Sequence, residues 1–209
     1  MSETVYTVDQ LGDTGLVEAL VMRSLTEFVD ESCSKLGPYA LAGATNLTKV
    51  QCDNVTTVEK EVFSGCKALK TLSLPKVTYV TKCEYANLTS LTELNLPAVT
   101  SISKQYAFQN CTALTKVDFP VLGAMGCGKS YGSWIFSGCS SLETVILRKA
   151  SGICKLDNAS VFGSTPISNG TGYVYVPSAL IADYEADSAW TEVGAQFRAI
   201  EDYPEICGV

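Results

Sequence analysis

"LKTLSLPKVTYV", residues 69–80, recurs along the chain as "LTKVQCDNVTTV" (47–58) and "LTELNLPAVTSI" (91–102), and more loosely as "LTEFVDESCSKL" (25–36). The lead leucines Leu25, Leu47, Leu69 and Leu91 stand 22 residues apart, Leu114 follows after 23 and Leu142 after 28. Self-similarity at a fixed period in the low twenties marks a chain that stacks copies of one unit instead of closing a single core. The shared pattern is L-x-x-[VLF]-x-[LFC]-P-x-[VL]-x-x-[VI], then a short polar stretch and A-F-x-x-C. Alternation at Leu72-Ser73-Leu74 and Val117-Asp118-Phe119 predicts a short strand with every second residue inward. Pro75, Pro97 and Pro120 close that strand, because proline cannot extend a ladder.

One unit carries too few apolar side chains to fold alone, so neighbours must stack and their strands must form one parallel sheet on one face. A period in the low twenties lies in the leucine-rich-repeat range. The expected fold is therefore an α/β repeat, a right-handed leucine-rich-repeat solenoid of about six to seven coils with short helical caps. Six coils run from Leu25 to about residue 165, and a degenerate seventh ends at "TGYVYVP" with Val174 and Val176 inward. The ends of such a stack expose apolar cross-sections and need covers. Residues 14–24, with Leu16, Val17 and Leu20 on one side, read as an N-terminal cap helix, and residues 178–190 as a C-terminal one. The chain thus divides into a leading segment and cap (1–24), repeats (25–177), a closing cap (178–200) and a tail (201–209) read as an exit segment.

Composition narrows the chemistry. The 209 residues are 46% hydrophobic and 18% charged, enough for a packed core. A net charge of −7 repels phosphate backbones and argues against nucleic acid. There is no histidine, which removes every mechanism that needs imidazole. The start of the chain shows no basic stretch followed by an apolar run, and no segment approaches the ~18 apolar residues of a membrane span. Membrane insertion is not expected. A cell-surface location requires a trimmed signal, and otherwise the chain stays in the cytoplasm or in a phage particle.

"GAMGCGKS", Gly123–Ser130, fits the phosphate-loop pattern G-x-x-x-x-G-K-[ST] at every position. Its context does not fit. Met125 falls where Ile102 stands in the preceding unit and Phe136 where Phe108 stands, so the motif occupies a connection, and "YGSWIFSGCSSL" leaves no room for a following helix. It is taken as a glycine-rich insertion, with nucleotide binding as a remote alternative.

The nine cysteines include no C-x-x-C pair, so no metal site is assigned. Cys66, Cys111 and Cys139 share one repeat position with Ala44 and Leu88, as buried thiols of modest size would. Free thiols are favoured over bridges, and Cys207, outside the repeats, is expected to be exposed. Asn46, Asn54, Asn87 and Asn110 head glycosylation-like triplets that are read as turn chemistry.

"AFQNCTALTKVDFP" (107–120) and "VFSGCKALKTLSLP" (62–75) resemble the BspA-type leucine-rich repeats of bacterial surface proteins, and "TGYVYVPSALIADYEADSAW" resembles their closing segment. That resemblance implies an extended repeat fold and a role in adhesion or host-protein binding. Short versions that open like "LVEALVMRSLTEF" also resemble prophage-encoded proteins of gut bacteria. The resemblance implies a non-enzymatic module recognising a protein or glycan at a cell surface. The alternative is a structural or receptor-binding phage-tail component, for which a homo-oligomer is expected.

No catalytic residue, cofactor or metal ligand is assigned. The candidate binding face is the row of side chains between inward strand positions: Lys49, Gln51, Thr71, Ser73, Glu93, Asn95, Lys116, Asp118 and Thr144. At its C-terminal end stand Arg148, Tyr173 and Tyr175. Arginine and tyrosine are enriched at interface hot spots, so that end is the first expected contact, with Tyr131 and Trp134 from the insertion adding further rings. If Gly123–Ser130 is only a loop, purified protein shows no ATP hydrolysis above buffer and Lys129→Ala changes nothing; lysine-dependent turnover would refute this.

Overall fold

The computed structural model describes residues 22–80, 85–126, 128 and 132–208. In chain order the strands are β1 (Glu27–Val29), β2 (Lys35–Leu36), β3 (Lys49–Gln51), β4 (Thr57–Val58), β5 (Thr71–Ser73), β6 (Tyr79–Val80) and β7 (Glu93–Asn95). There follow β8 (Ser101–Ile102), β9 (Lys116–Phe119), β10 (Ala124–Met125), β11 (Thr144–Leu147), β12 (Lys155–Leu156), β13 (Tyr173–Val176) and β14 (Gln196–Ala199).

The repeat unit becomes a rung with three sides. Longer strands pair in parallel along the first side, in the orders β1-β3-β5-β7 and β9-β11-β13-β14. Register follows the repeat: Leu72 faces Val50 and Leu94, while Ser73 faces Gln51 and Asn95. The single sheet expected from sequence is therefore two runs of four strands, divided between β7 and β9. Short strands line the second side as β2-β4 and β6-β8-β10-β12.

On the third side the described residues form left-handed turns and no strand. Gly43, Gly65, Asn87, Asn110, Gly138 and Ser164 all have positive φ, one per rung at the same place. Only glycine adopts that conformation freely, and asparagine tolerates it best among the rest. A second such column holds Tyr39, Glu61, Tyr106 and Trp134, with φ of 59°, 55°, 64° and 45°. These bulky residues accept the cost because the turn bonds to the next rung: Leu41 N–H donates to Val62 O at 3.1 Å and Phe108 N–H to Ile135 O at 2.9 Å.

Inside, the lead leucines Leu47, Leu69, Leu91, Leu114 and Leu142 are fully buried. An aromatic column runs beside them, Phe63–Tyr85–Phe108–Phe136–Phe162–Trp190, with neighbouring ring centroids 5.0–5.7 Å apart. The shared cysteine position has a polar reason as well as a size limit. Cys66, Cys111 and Cys139 donate Sγ–H to the carbonyls of Leu41, Tyr85 and Phe108 on the preceding rung, at 3.1–3.2 Å. Threonines on the outer corners act similarly, Thr48 Oγ1 bonding Thr26 O at 3.0 Å and Thr100 Oγ1 bonding Thr78 O at 3.1 Å. Asn46 Nδ2 and Asn54 Nδ2 reach the carbonyls of Arg23 and Glu31, so these asparagines serve the turns.

The phosphate-loop pattern is dismembered by the same geometry. Ala124 and Met125 form β10, in register with Ser101–Ile102 and Lys155–Leu156. Gly126 N–H bonds Ile102 O at 2.9 Å. The strand lies within the motif instead of before it, and the ring of Phe136 stacks on Phe108 at 5.2 Å. Cys127, Lys129, Ser130 and Tyr131 lie outside the described residues, as do Leu16, Val17 and Leu20 of the expected N-terminal cap; Met22 at its end is buried.

The closing segment is richer than one helix. After α1 (Pro166–Asn169), β13 leads into α2 (Ile181–Ala186) and α3 (Ser188–Val193), and β14 then extends the sheet by one further strand. Asp187 caps α3 by accepting from Ala189 N–H and Trp190 N–H. The cap also satisfies the last exposed backbone of the stack: Cys154 N–H donates to Tyr184 Oη and Trp190 Nε1–H to Cys154 O, both at 2.8 Å.

Leu91→Asp buries an uncompensated carboxylate at a fully enclosed position. It should cost about 3–5 kcal/mol out of a typical ~5–15 kcal/mol and abolish cooperative melting; a wild-type melting curve would contradict the rung assignment. A second expectation concerns alkaline pH. Burial pushes the Cys66 and Cys154 thiols up to about 12, against 9.0 for the free side chain. Above pH 9.0 an unfolded chain releases thiol protons that the folded chain keeps, so stability is complete below that pH and falls up to about 12. The urea midpoint should drop across this window, and drop less when Cys66 and Cys154 are both alanine.

Candidate binding face

The outward row on the first four long strands is open to solvent. Glu27, Val29, Glu93 and Asn95 are exposed, and Lys49, Gln51, Thr71 and Ser73 are half-buried by their stacked neighbours. Strand pairing places equivalent side chains side by side, and they bond along the stack. Thr71 Oγ1 reaches Glu93 Oε2 at 3.1 Å and Asn95 Nδ2 reaches Ser73 Oγ at 2.8 Å. This face offers carbonyl, amide and hydroxyl groups with little apolar area, both charges being present and neither dominant.

The second run of strands presents a different surface. Ile146 and Tyr175 lie on the outward side, yet they are 0% and 4% exposed. What covers them is the tail. After β14 the chain makes a turn at Ile200–Asp202 and a single-turn helix, α4 (Pro204–Cys207), across the strands. Ile146, Tyr175, Ile200 and Cys207 form a cluster separate from the main core, with Tyr173, Tyr203 and Ile206 against it. Tyr175 meets the Tyr203 ring edge-on, centroids 5.4 Å apart. Arg198, on the added strand, stacks over Tyr173 at 4.5 Å.

Charged groups fix the tail by its backbone. Arg148 forks onto Asp118, with Nε at 2.9 Å and Nη2 at 2.6 Å, and its Nη2 also donates to the carbonyl of Cys207. Lys116 Nζ donates to the carbonyl of Ile206. These are two of the carbonyls that a helix leaves unpaired at its C-terminus, where cations are favourable. The hydrogen bonds to Asp118 raise the basicity of Arg148 and keep it charged. Burial pushes the Tyr175 hydroxyl and the Cys207 thiol upward.

Several sequence expectations change here. Residues 201–208, expected as an exit segment, pack on the sheet. Cys207, expected as the exposed thiol, is 1% exposed. Trp134 does not join Tyr173 and Tyr175; it stacks on Tyr106 at 5.5 Å, in the left-handed turn column. Arg148, Asp118 and Lys116 are brought together as the sequence row implied, but around the chain's own C-terminal segment. The added strand carrying Arg198 was the missed contributor, and its signal was the alternation in "AQFRA" (195–199) before the tail.

An open groove of about 590 Å³ runs along the turns, with Glu61 and Lys67 on one wall and Tyr106, Asn87 and Gln109 on the other. It is open to solvent, unlike the enclosed sites that hold small ligands. Among the described residues no three His, Cys, Asp or Glu side chains converge as a metal site, and no helix is long and apolar enough to cross a membrane.

A family model agrees with this repeat architecture. The family model for the BspA type leucine rich repeat region matches as six copies, over residues 22–143 and 58–171. A solved structure of a leucine-rich cell surface protein from Faecalibacterium prausnitzii is 28% identical, with a TM-score of 0.49. That alignment covers 61% of this chain and 34% of the other, so the likeness spans about a third of that protein's length. No curated protein matches the sequence. The chain belongs to the BspA-type leucine-rich-repeat family.

Proposed function

We propose that the chain is a non-enzymatic interaction module that recognises a protein or glycan at a cell surface. In this reading the rungs make one right-handed solenoid of about six to seven coils, and the ligand lies across the outward row of Lys49, Gln51, Thr71, Ser73, Glu93 and Asn95. The observation that carries it is the ladder itself. Strand register holds eight outward positions in β1, β3, β5 and β7 at fixed spacing along the stack, most of them carrying hydrogen-bonding groups. Such an array suits an extended polar partner, read by many modest contacts instead of one deep pocket. The remaining candidates, Lys116, Asp118, Thr144, Arg148, Tyr173 and Tyr175, belong to the region where the tail rests.

The family supports an interaction role. The test uses Gln51→Ala, Ser73→Ala and Asn95→Ala combined. Each substitution is on the surface and should change stability by no more than about 0.5 kcal/mol. Screened on a defined glycan array and against extracted cell-surface proteins, the wild type should retain a partner that the triple variant loses at least about tenfold, the equivalent of 1.4 kcal/mol. Undiminished capture by a folded triple variant would move the ligand off this face.

A further inference from the structure

The seat beneath the C-terminal tail has the make-up of a peptide-binding site. Its floor is the apolar pair Ile146 and Tyr175, and Tyr173 borders it. Its rim carries two cations, Lys116 and Arg148, each already donating to a main-chain carbonyl instead of to a tail side chain. Main-chain recognition of this sort is indifferent to most of the bound sequence. What it demands is a helical turn ending on the rim, with its unpaired carbonyls facing the cations. The tail supplies Tyr203, just before that turn, and Ile206 within it, both packed against the floor. Beyond the seat the tail is tied by Ser178 N–H and Oγ bonding the Glu201 carboxylate at 3.0–3.2 Å and by Arg198 over the Tyr203 ring at 5.9 Å. The tail's cluster is also separate from the core that the rungs share.

We propose that residues 200–208 are a displaceable resident ligand of this seat, and that the seat accepts a segment of a partner protein with the same chemistry. That segment is a single helical turn with a tyrosine and, three residues on, an aliphatic side chain, presenting its terminal carbonyls to Lys116 and Arg148. The tail then competes with the partner and sets its threshold. The site is distinct from the polar row on the first four long strands, so either can fail without the other.

Cys207 reports on the seat because the tail buries it there. Alkylation of the full-length protein, mapped by peptide mass spectrometry, should label Cys207 at least about tenfold faster than Cys66 or Cys111, since the tail lifts by local opening while the core thiols wait for global unfolding. A synthetic peptide IEDYPEISG, the tail with serine for its cysteine, should accelerate Cys207 labelling in a saturable way. The same peptide with glutamate in place of its isoleucine at the position of Ile206 should not. In the Ile206→Glu protein, whose tail is weakened, the fluorescent peptide should bind directly, and Arg148→Gln added to it should weaken that binding about tenfold. Labelling of Cys207 at the rate of the core thiols would overturn the proposal, because the tail would then be a fixed part of the fold. Rapid labelling without peptide binding to the Ile206→Glu protein would overturn it too. A concentration-dependent dimer dissolved by the peptide would assign the seat to a second copy's tail and refute the separate partner.

Discussion

Hydrogen bonds between the backbone of one rung and that of the next, on all three sides, are the constraint from which the rest follows. Strand pairing supplies them on two sides, and left-handed turns supply them on the third, where Gly43 N–H reaches Ser64 O at 2.8 Å. A rung in isolation would leave these groups without partners and would expose its leucine, its aromatic ring and its valines. Neither deficit can be repaired within one unit, so the interior exists only as an interface repeated along the stack. Side chains then occupy columns, and each column imposes its own chemistry: rings beside rings, thiols beneath carbonyls, glycine or asparagine where φ turns positive.

That arrangement explains why the two ends differ from the middle. At the C-terminal end the last backbone groups meet Tyr184 and Trp190, whose polar atoms replace the missing neighbour while their rings continue the aromatic column. The extra strand that follows adds width to the outward surface, and the chain then doubles back over it. Half of the outward row consequently stays open and polar while the other half is apolar, cation-rimmed and occupied. One repeated geometry thus yields two surfaces, because the outward positions are free of the packing demands that fix the inward ones.

Most of the rung was legible in the sequence, since burial is what the 22-residue periodicity records. Leu69, Leu91, Val77 and Phe63 are where alternation and spacing place them. The alignment of Met125 with Ile102 likewise exposed the phosphate-loop pattern as part of a rung. What stayed hidden has physical causes. The division between β7 and β9 falls where the leucine spacing lengthens from 22 to 23 residues, a change too small to announce a break in the sheet. The thiol-to-carbonyl bonds of Cys66, Cys111 and Cys139 look in sequence like a tolerance for small apolar groups. The fate of "EDYPEICG" could not be read because its contacts are made with Lys116, Arg148 and Ile146, between about 60 and 90 residues away. The outward row was legible as positions, but its division into an exposed and a covered part depended on that same distant contact.

The placement of the two tryptophans has an optical consequence. Trp190 is sealed in the closing cap, and Trp134 lies against Tyr106 in the later rungs, so indole emission originates in the C-terminal half of the molecule. Units that touch only their neighbours can fray from one end, and rungs lost from the Leu25 side would leave both indoles in their native surroundings. Emission and far-ultraviolet dichroism therefore view different stretches of the same chain. Any gap between their denaturation curves measures how far order persists at one end after the other has gone.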